Sequence, residues 1–240
     1  MSEAPLKGKV ALVTGGSRGI GAATAAALAD AGARVVITHR DSAPDADQTL
    51  AALAGAGHRG VQASAADSDA LAQLARTISE IEGRLDVLVN NAATTRVIPH
   101  ADLDALDDEL FDLILATNVR GPFATVRALR HLLAANGTGV VVNISSIAAT
   151  AANGSNIAYC ASKAALDNMT RSLARALAPQ IRVMSVAPGL IETDFTGGWT
   201  EELIRGTLDH TPLGRLGTPE DVAGSPQSPT GTFLAEKLNI

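Results

Sequence analysis

Short β-branched runs alternate with longer Ala- and Leu-rich stretches along most of the chain. Lys9–Thr14, Arg34–Thr38, Arg59–Ala63, Leu85–Asn90, Gly139–Ser145 and Ile181–Ala187 read as strands. Their near-continuous apolar character is what parallel strands covered on both faces require. Between them, Gly19–Ala31, Asp45–Ala56, Asp67–Glu82, Asp108–Ala135 and Tyr159–Ala178 carry helical patterns. Parallel neighbours must be joined by a crossover, and a helix supplies it. The alternation therefore predicts an α/β fold, a doubly wound parallel sheet with helices on both faces. No linker breaks the chain before about residue 190, so residues 1–240 read as a single domain. A further helix is expected at Thr200–His210, followed by an atypical C-terminal end rich in Pro, Ser and Gly.

Composition removes several function classes. With 19 Lys+Arg against 25 Asp+Glu, net charge −6, the chain has no basic stripe to neutralise phosphates, so nucleic acid is not expected as a partner. Aromatics make up 2% and leave few platforms for stacking bases. One cysteine, Cys160, excludes an internal disulfide framework and suits a reducing compartment. The five histidines are scattered without ligand spacing, so no metal is expected. The N-terminus lacks a positive segment followed by an apolar one, and no signal peptide is read. The longest uncharged run, Leu132–Ser162, is interrupted by Asn136, Asn143, Ser145, Ser146 and Asn153, which argues against a membrane span. A cytoplasmic location is the expectation.

The first strand runs into Gly15-Gly16-Ser17-Arg18-Gly19-Ile20-Gly21 and then a helix. Glycines let the backbone turn sharply and approach a pyrophosphate, whose charge sits at a helix N-terminus. A glycine-rich turn without a ligand is the plainer alternative; position on the first strand–helix junction favours binding. The single tyrosine, Tyr159, lies four residues before Lys163, so on a helix they share a face. A free phenol is a weak acid–base group at neutral pH, and a neighbouring ammonium favours its ionised form. A phenol so tuned can pass a proton to or from a carbonyl oxygen. Ser146 follows the strand Gly139–Ser145, at the edge where open α/β sheets bind ligands, and its hydroxyl is placed to polarise that carbonyl. Ser145 competes for this role.

Thr14-Gly15-x3-Gly19-Ile20-Gly21, then Asn90-Asn91-Ala92, Ser146, Tyr159-x3-Lys163 and Pro188-Gly189 resemble the short-chain dehydrogenase/reductase family. The resemblance covers Lys7 to about Ala223 and points to the branch that includes 3-oxoacyl-carrier-protein reductases. It implies a Rossmann-type sheet and hydride transfer between a nicotinamide cofactor and a carbonyl or secondary alcohol. It implies Asn118, Ser146, Tyr159 and Lys163 as the catalytic set, and selects Ser146 over Ser145. Asn118 is expected to serve a proton relay; the plainer reading is a buried Asn in an irregular helical turn. The implied cofactor contacts are Gly15, Ser17, Arg18, Gly19, Ile20, Gly21, His39, Arg40, Ser64, Ala65, Asn91, Ala92, Tyr159, Lys163, Pro188, Gly189, Ile191 and Thr193.

Four differences from the family pattern matter. An acidic residue at the end of the second strand would bind the ribose hydroxyls of NAD; here His39 and Arg40 stand there, with Arg18 in the glycine loop. Two guanidinium groups suit a 2′-phosphate, so NADP(H) is favoured over NAD(H). Ser64 replaces an adenine-contacting Asp, and Ala93 replaces a glycine. Finally, 224–240 diverges from the family, and Pro226 and Pro229 oppose the helix expected there.

Thr94–Pro99 and a lid at 190–210, with Phe195 and Trp199, are expected to contact the substrate. The loop Leu132–Gly137 carries no Lys or Arg, which disfavours an acidic carrier and favours a free small carbonyl or alcohol. A homo-oligomer is expected, a dimer through Asp108–Ala135 and Tyr159–Ala178, with the tetramer in doubt because of the tail. Two alternatives stay open: a cofactor-binding sensor that has lost turnover, and a dehydratase or epimerase on the same fold.

Overall fold

The computed structural model describes residues 4–196, 199–209 and 211–224, except the side chain of Leu203. Six strands form one sheet: β1 (Val10–Thr14), β2 (Arg34–His39), β3 (Arg59–Gln62), β4 (Val87–Asn90), β5 (Gly139–Ile144) and β6 (Ile181–Val186). Every pairing is parallel, in the order β3-β2-β1-β4-β5-β6. This is the doubly wound arrangement expected from the sequence. The strand order reverses between β1 and β4, which opens a crevice at their C-terminal ends.

Alternate side chains of each strand point to opposite faces. Ala11 and Val13 of β1 join Val35, Ile37, Val87, Val89, Val140 and Val142 under α1 (Gly19–Asp30). Val10 and Leu12 join Val36, Leu88 and Val141 on the other face, against α3 (Ser68–Ile81) and α5 (Gly121–Ala134). Leu71, Leu74 and Ile78 supply the α3 stripe, and Leu129 and Leu133 the α5 stripe. Each such side chain contributes about 1.5–3 kcal/mol on full burial. At the opposite end from the crevice, the buried Glu82 takes Arg34 at 2.5 Å and Arg59 at 2.8 Å, tying β2 and β3 to the end of α3.

The helices before β6 differ from expectation in four places. The stretch expected as one helix over Asp108–Ala135 is α4 (Asp108–Leu115), a π-helical turn (Ala116–Arg120) and α5. The cause is Asn118, whose side chain is drawn inward by partners described below. α2 (Ala43–Ala52) starts earlier than expected, with Pro44 in its first turn, where a missing N–H costs nothing. α6 (Ala148–Ala151) is a short helix that the sequence reading missed; it ends at Ala152 with φ 51° and ψ 28°. α7 (Ile157–Leu177) begins before Tyr159 because Asn156 caps it.

After β6 come α8 (Glu201–Leu208) and α9 (Pro219–Ala223). Thr218 and Asp221 form a reciprocal cap on α9, Arg215 holds Asp221 at 2.6 Å, and the buried Val222 joins the α1 cluster. Of the tail at 224–240, residues 225–240 lie outside the described residues; so do 197, 198 and 210 of the 190–210 stretch. Among the described residues, no helix is long and apolar enough to cross a membrane.

Candidate active site

The glycine loop is shaped by packing as much as by conformation. Gly15 has φ +63°, and a Cβ there would meet the Ala92 Cα at 3.0 Å. A Cβ on Gly21 would sit 2.2 Å from the Gly15 carbonyl oxygen. Asn91 Nδ2 donates to the Thr14 and Gly15 carbonyls (3.0 and 2.9 Å), and Thr14 Oγ1 accepts from the Asn91 and Ala92 amides (3.0 and 3.1 Å). Thr38 Oγ1 accepts from the Gly15 amide at 3.1 Å. The loop ends at Arg18, extended at φ −161°, and α1 starts with no side-chain cap and no acidic residue in its first turn. An uncapped helix start presents free N–H groups and the positive end of the dipole. These features fit a dinucleotide pyrophosphate.

A cleft of ≈ 1170 Å³ opens from this loop across the C-terminal ends of the strands. Its wall brings together Gly15, Ser17, Arg18, Gly19 and Ile20; His39, Arg40, Ser64 and Ala65; Asn91 and Ala92; Ser146, Tyr159 and Lys163; and Pro188, Gly189, Ile191 and Thr193. Two residues of the expected set are not on that wall. Gly21 stands behind the loop, where its missing side chain lets helix and loop meet. Asn118, 1% exposed, is buried beneath.

Ser146, Tyr159 and Lys163 converge. Ser146 and Tyr159 stand on the same cleft wall, and Ser146 Oγ accepts from the Ala148 amide at 3.1 Å. Ser145, the competitor, turns its hydroxyl to the Lys163 carbonyl. Lys163 Nζ lies 5.6 Å from the Tyr159 ring centroid and donates to the Ile144 carbonyl at 2.7 Å. Burial pushes the Tyr159 phenol up to about 12, against the opposing Ser146 hydrogen bond. Burial pulls Lys163 down to about 8, with Asp167 one turn along opposing it. The sequence reading has Lys163 depressing the phenol; in the protein alone, desolvation of the phenolate raises it, and the opposing influence is Ser146 rather than Lys163.

Asn118 shows why the helix between α4 and α5 is irregular. Its Oδ1 accepts from the Thr94 amide at 2.8 Å, and its Nδ2 donates to the Thr94 carbonyl (3.0 Å) and Ser162 Oγ (3.1 Å). The side-chain amide is thus engaged in clamping the β4–α4 loop to α7. Asn90 ties strands, donating to Asn143 Oδ1 at 2.8 Å, and Asn143 donates onward to Thr170.

At the adenosine end, Arg40 Nε is 2.5 Å from Asp41 and Arg18 is 3.8 Å from Asp194, all largely exposed. Such exposed pairs are weak and are easily re-aimed toward a stronger anion. Among the described residues, His39 Nδ1 is buried there without a hydrogen-bond partner. On the far side of Tyr159, the Phe195 ring centroid lies 6.1 Å from the tyrosine ring, and Leu113, Ile147 and Trp199 extend the apolar wall. Among the described residues, no cluster of His, Cys, Asp or Glu could hold a metal ion. Asn156, absent from the expected site, binds the Tyr159 amide; an Asn three residues before a helical reactive residue is an N-cap signal.

This cleft on a doubly wound sheet defines a nucleotide-dependent oxidoreductase of the Rossmann type, and the comparisons agree. The family model described as "Enoyl-(Acyl carrier protein) reductase" matches residues 15–227. A ketoacyl-reductase designation within the granaticin polyketide synthase of Streptomyces violaceoruber belongs to a relative 45% identical over 216 residues, 89% of this chain and 86% of that protein. A 3-oxoacyl-[acyl-carrier-protein] reductase from Synechocystis is 39% identical, over 92% of this chain and 88% of that protein. A short-chain dehydrogenase from Burkholderia cenocepacia, solved in complex with NADP, superposes with TM-score 0.84 at 34% identity, covering 98% of this chain and 91% of that one. The chain belongs to the short-chain dehydrogenase/reductase family and is an NAD(P)-dependent enzyme of it. Within the family it falls in the branch of the 3-oxoacyl-carrier-protein reductases.

Proposed function

We propose that the enzyme uses NADP(H) to interconvert a small neutral carbonyl compound and its secondary alcohol. The observation that carries this reading is the convergence of Tyr159, Ser146 and Lys163 on one cleft wall beside the uncapped start of α1. When bound, the reduced nicotinamide supplies a hydride to the carbonyl carbon. Tyr159 donates its phenolic proton to the oxygen, and its raised pKa keeps that proton in place at neutral pH. Ser146 orients the oxygen, and Lys163 offsets the charge left on the phenolate. Asn118 acts here by fixing Thr94 against Ser162; its engaged amide does not support relay through the side chain.

Arg18 and Arg40, both on the cleft wall, support the 2′-phosphate and hence NADP(H). The substrate side of the wall is built from Leu113, Ile147, Phe195 and Trp199, with the carboxyl side chain of Glu202 among them, so an uncharged substrate fits better than a carboxylate. Residues 190–210 would form the lid. Self-association is part of the reading: α5 exposes Phe123 and α7 exposes Ala161, Ala164 and Ala165, faces suited to a second copy.

The test is the thermal unfolding midpoint with NADPH, with NADH and with neither, followed by NADPH consumption with a panel of neutral ketones. Binding to the folded state alone raises the midpoint by mass action. A larger rise with NADPH than NADH, and oxidation of NADPH by a ketone, support the reading. Stabilisation without turnover favours a cofactor-binding sensor, and product change without net cofactor use favours a dehydratase or epimerase. No stabilisation by either cofactor contradicts all three.

A further inference from the structure

We propose that Asn156 is a positioning residue that makes the placement of the substrate loop and the capping of the Tyr159 helix a single event. The side chain is 1% exposed, and both ends of its amide are used. Oδ1 accepts from the Tyr159 amide at 2.8 Å, capping α7. Nδ2 donates to Thr95 Oγ1 at 3.0 Å and to the Arg96 carbonyl at 2.7 Å, both on the loop after β4. The contact is extended by neighbours: Thr95 Oγ1 meets Ser155 Oγ at 2.5 Å, and the Ile98 amide donates to the Ser155 carbonyl at 2.8 Å. His100 Nε2 adds a 3.2 Å contact to the Gly154 carbonyl.

Thr94, Thr95, Gly154 and Ser155 all line the cleft beside Tyr159. Asn118 grips the loop at Thr94 from the other side. A buried amide that loses its donors leaves the Arg96 carbonyl without its partner, and water or a loop shift must supply one. The loop then moves relative to the phenol, while the cofactor half of the cleft, built on β1, β2 and Arg18, does not. Asn156 thus sets substrate affinity separately from cofactor affinity. This rests on the reductase reading for its kinetic part but not for its structural part.

Asn156→Ser separates the two functions, because a serine hydroxyl caps a helix and cannot reach the loop. Asn156→Ala removes both. The probes are NADPH and the neutral keto ester ethyl acetoacetate, with amide hydrogen exchange on the full chain. In the Ser variant, exchange at 94–98 rises about tenfold, exchange at 157–163 stays as in the wild type, KM rises about tenfold, and kcat and the NADPH dissociation constant stay within about twofold. In the Ala variant, kcat also falls. Unchanged exchange at 94–98 in the Ser variant overturns the proposal, and so does a fall in kcat at unchanged KM. If the wild type does not oxidise NADPH with the probe while loop exchange responds as stated, the reductase reading fails on that substrate and the coupling stands.

Discussion

Lys163 holds its ammonium 5.6 Å from the centre of the Tyr159 ring while donating to the Ile144 carbonyl at 2.7 Å, so the cation is anchored to the end of β5. The strand end thereby fixes the distance between the two groups. That distance lies within the range in which a cation is attracted to a ring. Lys163 is buried and Tyr159 is half-buried, and each favours its neutral form more than it would in water. The consequences can be measured as stability and as rate.

Stability should depend on pH through Lys163. Its folded pKa is lowered from 10.5 to about 8, so between those values the unfolded chain binds more protons than the folded one. Stability from this group therefore rises as pH increases from about 8 to about 10.5, by roughly 3 kcal/mol at most. Tyr159 acts in the opposite sense, but only above 10, where its folded pKa of about 12 exceeds the unfolded value. Urea unfolding between pH 8 and pH 10 should show the rise in the wild type and a flatter profile in Lys163→Met.

Gly21→Ala should damage the cofactor site from behind the cleft wall. The added methyl would lie 2.2 Å from the Gly15 oxygen and 2.5 Å from Asn91 Nδ2, so the loop or the start of α1 must move. Overpacking of this kind costs about 1–3 kcal/mol. A lowered unfolding midpoint with loss of the NADPH-induced rise is the expected outcome.

Ala152→Gly should stabilise the protein. Ala152 adopts φ 51°, a left-handed conformation that is unfavourable for a side chain bearing a Cβ. The gain expected from relieving it is about 0.5–1 kcal/mol after the entropy that glycine adds to the unfolded chain. Equilibrium unfolding in urea reads it directly.

Arg40→Ala should separate the two cofactors. A charge-assisted bond to phosphate is worth about 1.5–3 kcal/mol, so NADPH affinity should fall roughly tenfold to a hundredfold while NADH affinity changes little. Titrations of intrinsic Trp199 fluorescence at two ionic strengths check this, since the effect should shrink as salt screens the exposed guanidinium.

Elements whose signals are local were legible in the sequence. Five of the six strands are rich in β-branched residues (β3, Arg59–Gln62, has only Val61), and no observed end lies more than two residues from the expected one. The glycine loop and the Tyr159–Lys163 pair rest on spacing within one turn or one junction. The π-turn at Ala116–Arg120 was not legible, because it depends on Asn118 meeting Thr94 and Ser162, residues remote in sequence. Asn156 carried a signal, but a helix read from its reactive residue outward starts too late to notice the cap. α6 is a four-residue Ala-rich helix with no side-chain cap, so composition offered nothing to mark it. The raised phenol followed from burial, a property of the assembled cleft.

Tyr159 is the proposed proton donor in hydride transfer. Tyr159→Phe keeps the ring, its 6.1 Å contact with Phe195 and the cleft lining, and removes only the hydroxyl. NADPH oxidation by a ketone that the wild type reduces should fall by about 10²–10⁴-fold, with the NADPH dissociation constant unchanged. Turnover in the Phe variant within a few-fold of the wild type would contradict the account.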